Sequence, residues 1–465
     1  MLQNSPSSLW NALASAGSGS DAFISAAEAL IPMSSMLTGS ILDGRAEELR
    51  GRSVVIVTAN QLTAALTLFE LDGIASRVVL YPGELTLDHL PYVVNGASVD
   101  AIVSDRTTFG QNIPRVRYFM PCARKVVEQA YDRTSEYQTE WVLLTSGTVG
   151  PPKLVAHTLS SLTGAIRRSA DDRKRVVWST FYDIRRYGGL QIFLRAILAG
   201  SSLVLSSPEE STEKFLSRVA SCGVTHISGT PSHWRRALMS PAAKLISPEY
   251  VRLSGEIADQ AILNHIQTVY PNAGVGHAFA STEAGVAFEV NDGSSGFPAG
   301  VVEGTPNVEM KIENGTLRIR SSRTASRYMG AHATLLKDAE GFVDTGDMVE
   351  LKDARYHFVG RRDGLINVGG LKVHPEEVEA VINRHPDVHM SLVRAKKNPV
   401  TGAIVIADVV LSASASPKSS DPGALQGDIL QFCRATLPTH QVPAIINFVP
   451  TLAIAESGKM MRGNA

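Results

Sequence analysis

The stretch Trp141-Val142-Leu143-Leu144-Thr145-Ser146-Gly147-Thr148-Val149-Gly150-Pro151-Pro152-Lys153 decides how the rest of the chain is read. An apolar, strand-like run from Trp141 to Leu144 leads into a turn that packs hydroxyls and glycines together and closes on a lysine. Glycines let successive backbone N–H groups converge on an anion, Ser and Thr hydroxyls donate to non-bridging oxygens, and the lysine adds a point charge. That composition suits a polyphosphate. Pro151-Pro152 disfavours an immediate helix, which separates this turn from the Walker loop, where a Lys-Ser/Thr pair opens a helix directly after the glycines. Standing alone, Thr-Ser-Gly-Thr reads equally well as a surface turn.

Working outward, β-rich runs at Val54 to Val57, Arg77 to Tyr81 and Val99 to Ser104 alternate with a helical pattern from Leu62 to Leu71. The same rhythm returns as a strand at Leu203 to Leu205, a helix from Thr212 to Ser221, a strand from Val224 to Ser228 and a helix from Ser232 to Met239. Such alternation predicts an α/β fold of mostly parallel sheets with crossover helices. Past Gly296 the texture changes to two alternating runs, Val308 to Ile312 and Thr316 to Arg320, around Glu313-Asn314-Gly315. Asn-Gly between alternating runs predicts a hairpin in a small antiparallel β unit. From Asp363 onward the pattern is that of a compact α+β module: a helix over Pro375 to Asn383, strands near Met390 to Ala395 and Ile404 to Leu411, and a loop over Ser412 to Gly427.

A chain of 465 residues exceeds what one core usually serves, so at least two domains are expected. A net charge of −1 argues against a general nucleic-acid or anionic-membrane binder. Cys122, Cys222 and Cys433 lie far apart without Cys-x-x-Cys spacing, which leaves neither a disulfide framework nor a zinc site to propose. The first residues show no basic segment followed by an apolar core, and the most apolar stretch, Gly189 to Leu205, is broken by Gln191 and Arg195. No signal peptide and no membrane span are expected, and the predicted location is cytoplasmic.

The loop resembles the phosphate loop of the acyl-adenylate-forming superfamily, which includes acyl-CoA synthetases, adenylation domains of peptide synthetases and luciferases. Their usual form is T-S-G-T-T-G-x-P-K-G; here Val149 replaces a threonine and Leu154 the last glycine. The resemblance implies that Thr145, Ser146, Gly147, Thr148, Gly150 and Lys153 hold ATP phosphates. Further motifs follow in family order, up to Arg462. Phe279-Ala280-Ser281-Thr282-Glu283 matches the aromatic-x-x-T-E motif: Phe279 would stack on adenine, Thr282 touch the α-phosphate and Glu283 hold Mg²⁺. In Asp344-Thr345-Gly346-Asp347 the second aspartate would accept the ribose hydroxyls, and in Val359-Gly360-Arg361-Arg362-Asp363 Arg361 would contact ribose and phosphate while Asp363 is the hinge. Gly369 and Gly370 would line the thiol passage. Lys459, in the G-K-x-x-R ending, would sit between the attacking carboxylate and the α-phosphate, offsetting the repulsion of two anions in the transition state.

The implied protein has an adenylation domain over 1–362, of mostly parallel sheets plus a small β unit, and a small mobile α+β domain over 363–465. It would be an AMP-forming acid–thiol ligase using ATP, Mg²⁺ and coenzyme A. An acyl carrier protein with its phosphopantetheine is the rival acceptor, and a catalytically silent nucleotide binder the alternative from another class. The acyl pocket would draw on Trp178, Tyr182, Arg186, Tyr187, Gly276 and His277. An arginine at 185 or 186 would suit a second carboxylate on the acid, or else a surface ion pair. Asp183 falls off the register of the aspartate that amino-acid-activating relatives use.

Overall fold

The computed structural model describes residues 8–17, 21–106, 113–123, 126–128, 137–145, 151–167, 175–330, 334–399, 401–412, 421–454 and 459–460. Two sheets carry the body of the chain. The seven-stranded one runs Arg327–Met329, Lys153–Thr158, Glu140–Thr145, Arg77–Leu80, Ser53–Ile56, Ala101–Ser104, Tyr118–Pro121. It is parallel from Glu140–Thr145 onward, with the first two strands added antiparallel. The eight-stranded one runs Gly285–Val290, Gly274–Ser281, Tyr250–Ser254, His226–Gly229, Val177–Thr180, Ser202–Leu205, Phe23–Ser25, Leu30–Pro32 and is antiparallel only at its two edges.

Strands such as Ser53–Ile56 and Ser202–Leu205 are buried throughout, which is why they read as continuous apolar runs instead of alternating ones. The helices Gln61–Leu71 and Tyr187–Ala199 share one core with residues of both sheets. Every residue of Gln61–Leu71 is buried, and the Glu70 carboxylate is satisfied there by the Ser40 hydroxyl and the Ile41 N–H at 2.7 Å. A ligand crevice in such a fold lies beyond the carboxyl ends of the parallel strands.

The predicted hairpin is present as Val308–Glu313 and Thr316–Ser321, with Asn314 and Gly315 at φ +52° and +75°, as a two-residue turn of this kind requires. It joins Val343–Lys352, Arg355–Arg361 and Phe297–Pro298 in a five-stranded sheet. The last part of the chain has a core of its own, drawn from Ile366 to Ile446. Its elements include the helix Pro375–Ile382 and the long hairpin Val388–Asn398 with Gly402–Leu411. One expectation needs correction. The loop over Ser412 to Gly427 ends early, because Asp421 accepts the Gly423 and Ala424 N–H groups at 2.9 and 3.3 Å and starts the helix Pro422–Thr436 with proline at its first position. No helix among the described residues is long and apolar enough to cross a membrane.

Candidate active site

Thr145 and Lys153 face each other as the first rung of an antiparallel strand pair. Ser146, Gly147, Thr148 and Gly150 lie outside the described residues. Arg186 braces the end of this strand pair: its Nη1 donates to the Leu144 carbonyl at 2.5 Å and its Nε to Glu84 at 2.7 Å. Those contacts occupy the side chain that the sequence offered to a second substrate carboxylate. Lys153 is exposed, with its Nζ 5.2 Å from the centre of the Tyr328 ring.

The Tyr328 hydroxyl donates to Glu283 Oε1 at 3.2 Å, which brings Lys153, Tyr328 and Glu283 into one group. Burial, with the Glu283 charge next, pushes the Tyr328 phenol up, so it stays a donor. Among the described residues no group of three His, Cys, Asp or Glu stands ready to hold a metal. A single carboxylate nevertheless fits Mg²⁺, which takes one or two carboxylates and fills its sphere with phosphate and water oxygens. Next to Glu283, the Thr282 carbonyl meets His157 Nε2 at 2.7 Å. His157 is fully buried, and burial pushes it down to about 4, so it is neutral near pH 7 and can donate from Nε2 while Nδ1 faces the Ser161 hydroxyl at 3.1 Å. The strand Gly274–Ser281 changes register between Phe279 and Ala280, and such an irregularity re-aims the residues that follow it. Phe279 itself stacks on Phe358 and Phe288 at 5.2 and 5.8 Å, so an adenine would meet what those rings leave uncovered.

Asp347 and Arg361 pair across neighbouring strands, with Nη1 3.5 Å from the carboxylate, and Arg361 also reaches Asp363 at 3.6 Å. Burial pushes the Asp347 carboxyl up to about 6, against the charges of Arg361 and Lys459. Lys459 thus arrives at this site from the far end of the chain. A Cβ placed on Gly255 would lie 3.9 Å from its Cε. Its neighbour Met460 donates its N–H to Glu256 Oε1 at 3.0 Å, while Glu256 Oε2 takes the Ser232 N–H at 3.0 Å. A second contact docks the C-terminal unit: His389 Nε2 lies 2.9 Å from the Arg235 carbonyl, and the Arg235 guanidinium is paired with Asp259. Gly369 and Gly370, at φ +58° and +91°, form the two-residue turn between Ile366–Val368 and Leu371–Val373, a conformation that excludes most side chains.

Among the residues that the sequence offers for the acyl pocket, the Tyr182 hydroxyl donates to the Ser254 carbonyl at 2.6 Å, and His277 Nε2 meets the Ser294 carbonyl at 3.0 Å. Trp178 and Tyr187 are buried, and Gly276 has no room for a Cβ, which would meet Asn291 Oδ1 at 2.1 Å and the Tyr250 hydroxyl at 2.4 Å. Asp183 is closed off by a buried ion pair with Arg185, which is 1% exposed and also donates to the Thr58 carbonyl at 2.7 Å. Sequence reading missed Glu256, Tyr328 and His157. The first was findable, since Gly255-Glu256 directly follows a parallel strand at its carboxyl end.

Comparison with known proteins agrees with this arrangement. The model of the AMP-binding enzyme family matches residues 51–323, and that of the AMP-binding enzyme C-terminal domain residues 377–459. A 2-succinylbenzoate–CoA ligase of Geobacillus kaustophilus is 26% identical over 442 residues, 89% of this chain and 87% of that protein. Among solved structures, the anthranilate CoA ligase AuaEII in complex with anthranoyl-AMP superposes with a TM-score of 0.80 at 16% identity, covering 97% of this chain and 95% of that one. The amide bond synthetase McbA from Marinactinospora thermotolerans gives 0.75 at 18%, covering 97% and 98%. At those identities the structures speak for the fold.

Proposed function

Because the chain belongs to the AMP-binding enzyme family and forms acyl-adenylates from ATP, we propose that it hands the acyl group to the thiol of coenzyme A. In the first step a carboxylate oxygen of the acid attacks the α-phosphorus, and the bond to pyrophosphate breaks. In the second the thiol, giving up its proton, attacks the acyl carbonyl carbon, the bond to the phosphate oxygen breaks, and AMP leaves.

The observation that carries the reading is the Glu256 clamp on Met460, which keeps Lys459 beside Gly255, where its charge acts on Asp347. In the proposed roles Asp347 accepts the ribose hydroxyls, Arg361 faces ribose and phosphate, and Lys153 and Thr145 serve the phosphate hairpin. Thr282 faces the α-phosphate, and Lys459 offsets the repulsion between the acid and that phosphate. Glu283 would hold Mg²⁺, which neutralises phosphate charge when bound. Asp363 is the proposed hinge, with the C-terminal unit, taken as 363–465, turning against 1–362 between the two steps. Coenzyme A as acceptor draws support from the curated relative, a CoA ligase by name.

Pyrophosphate release from purified protein with ATP, Mg²⁺ and a panel of carboxylic acids tests the first step, and adding coenzyme A or a phosphopantetheinylated carrier protein tests the second. An acyl-CoA product is expected. Thioester on the carrier protein alone would move the acceptor assignment. No pyrophosphate with any acid would favour a silent nucleotide binder.

A further inference from the structure

Strand pairing sets Tyr328 between two side chains of the proposed phosphate site that lie far apart in sequence. The strand Arg327–Met329 forms the edge of the seven-stranded sheet and runs antiparallel to Lys153–Thr158, with Tyr328 opposite Val155. Residues two apart on a strand share a face, so Lys153 is the diagonal neighbour of Tyr328, within reach of a long side chain. Its Nζ lies 5.2 Å from the ring centre, inside the range over which an ammonium is drawn to an aromatic face. On the other flank the Tyr328 hydroxyl donates to Glu283 Oε1 at 3.2 Å. Among the described residues this is the one hydrogen bond that the Glu283 side chain receives.

The backbone holds both ends of that bridge. Ala325 donates its N–H to the Glu283 carbonyl at 2.9 Å, and Ser326 donates its own to the Ala156 carbonyl at 2.7 Å. Arg327 adds an anchor beside the tyrosine by pairing at 2.5 Å with Glu140, on the strand that ends at Thr145. The turn after Glu283 has no slack either, because a Cβ on Gly285 would run into the Arg323 carbonyl oxygen. A fixed main chain still leaves a glutamate side chain its rotamer freedom. The phenol supplies the missing restraint. It occupies one lone pair of Oε1 and leaves the remaining acceptor capacity of the carboxylate to a cation, as outer partners of metal-binding carboxylates do.

We propose that Tyr328 is a positioning residue for the phosphate site: its hydroxyl holds Glu283 in the orientation that takes Mg²⁺, and its ring seats Lys153. This inference rests on the adenylation reading above, in which Glu283 and Lys153 serve the nucleotide. The two tasks sit on different parts of one side chain, so substitution separates them.

The test is calorimetric binding of ATP to the full chain, once in EDTA and once with saturating Mg²⁺, followed by acid-dependent ATP–pyrophosphate exchange at rising Mg²⁺. Tyr328→Phe keeps the ring and should lose about tenfold in affinity for ATP with Mg²⁺, while affinity in EDTA stays within about twofold. Exchange in this variant should climb toward the parental kcat as Mg²⁺ is raised, a rescue that a merely destabilised protein would not show. Tyr328→Leu should show the same loss with Mg²⁺ and a further loss of about threefold in EDTA, the scale of an exposed cation–π contact. Either variant serves if the other does not fold. In a Glu283→Gln background the hydroxyl has no carboxylate to orient, so adding Tyr328→Phe should cost less than about twofold more with Mg²⁺. Unchanged affinity with Mg²⁺ in both single variants overturns the inference and leaves adenylation standing. Equal losses for Tyr328→Phe in EDTA and in Mg²⁺, or a loss of exchange that Mg²⁺ does not rescue, make Tyr328 a structural residue and overturn it as well. Parental protein that exchanges pyrophosphate with no acid overturns the adenylation reading, and this inference with it.

Discussion

Around the proposed nucleotide site Asp347 lies 3.5 Å from Arg361, Arg361 reaches Asp363 at 3.6 Å, and Lys459 adds its charge from a separate segment. In the eight-stranded sheet Arg252 donates from Nε to Glu289 Oε2 at 3.2 Å. The Arg361 side chain is 53% exposed, whereas Arg252 is 3% exposed. Exposed pairs exchange partners at little cost, which suits a site where phosphates arrive and leave and one domain is proposed to turn. A guanidinium buried as deeply as Arg252 has no water to exchange its partner for. The contrast teaches where partners can be exchanged at little cost: at the half-exposed Arg361 and not at the buried Arg252.

The sharpest way to break this contrast is to remove the cation that arrives from the far end of the chain. Lys459→Ala should lower acid-dependent pyrophosphate exchange by about 10²–10³-fold, the usual loss when a group stabilising transition-state charge is deleted. Binding of ATP measured by calorimetry should stay within about threefold, because uniform binding is not what the lysine supplies. Parental exchange in this variant would remove Lys459 from the chemistry.

Glu256 is the next largest. Replacing it with alanine frees the Met460 and Ser232 N–H groups that it now accepts at 3.0 Å. Adenylation should fall by about tenfold, the worth of a lost charge-assisted hydrogen bond. Thioester formation from a synthetic acyl-adenylate should be unaffected, since the clamp holds the lysine in place for the first step alone. Equal losses in both steps would make Glu256 a general structural residue.

A smaller effect follows from Asp347. Its carboxyl is raised from 3.8 to about 6, by burial first. Protonation removes the negative charge that strengthens acceptance from the ribose hydroxyls and turns one oxygen into a donor, so the KM for ATP should climb as pH falls through about 6, and Asp347→Asn should flatten that profile. The sign for stability is opposite. A carboxyl whose folded value is raised binds protons more readily in the native state, so its contribution to folding is full below 3.8 and is lost as pH rises through about 6. An ATP KM independent of pH in this window would count against the ribose role.

The mildest probe acts on the helix that carries Arg195. A Cβ on Gly189 would come within 2.3 Å of the Asp183 carbonyl oxygen, a backbone atom with little freedom to move. Alanine usually gains about 1 kcal/mol over glycine inside a helix, but forcing atoms into a packed site costs about 1–3 kcal/mol. Gly189→Ala should therefore lower the melting temperature by a few degrees and raise the KM of the acid more than that of ATP. The reverse ranking would place this helix on the nucleotide side.

Much of the scaffold was legible because local signals and tertiary structure agreed. Thr212 to Ser221 is helical as its spacing predicts, and Asn314-Gly315 turns the hairpin where its positive φ values demand it. The motif residues Glu283, Asp347, Arg361 and Lys459 are named by resemblance, and of these the structure pairs Asp347 with Arg361. What escaped depends on long-range register. Nothing local in Tyr328 says that its hydroxyl reaches Glu283, since the contact requires the strand Arg327–Met329 to pair with Lys153–Thr158. Arg195 read from the sequence as a polar break in an apolar stretch, and its guanidinium lies 6.0 Å from the Trp178 ring only once the helix meets the eight-stranded sheet. An arginine at 185 or 186 reads in sequence as an anion binder or an ion pair, and the fold brings Asp183 beside Arg185 and Glu84 beside Arg186. The helix at Pro422 was lost inside a Ser- and Pro-rich run, although Asp421-Pro422 is itself a start signal.

The central claim is that these separated segments gather around one nucleotide and activate an acid at its innermost phosphorus. Mass spectrometry of the protein mixed with ATP, Mg²⁺ and a responsive acid, in the absence of any thiol, tests it most directly. The account predicts an acyl-AMP matched mole for mole by pyrophosphate. ADP with an acyl phosphate, or nucleotide recovered unchanged with every acid, would contradict it.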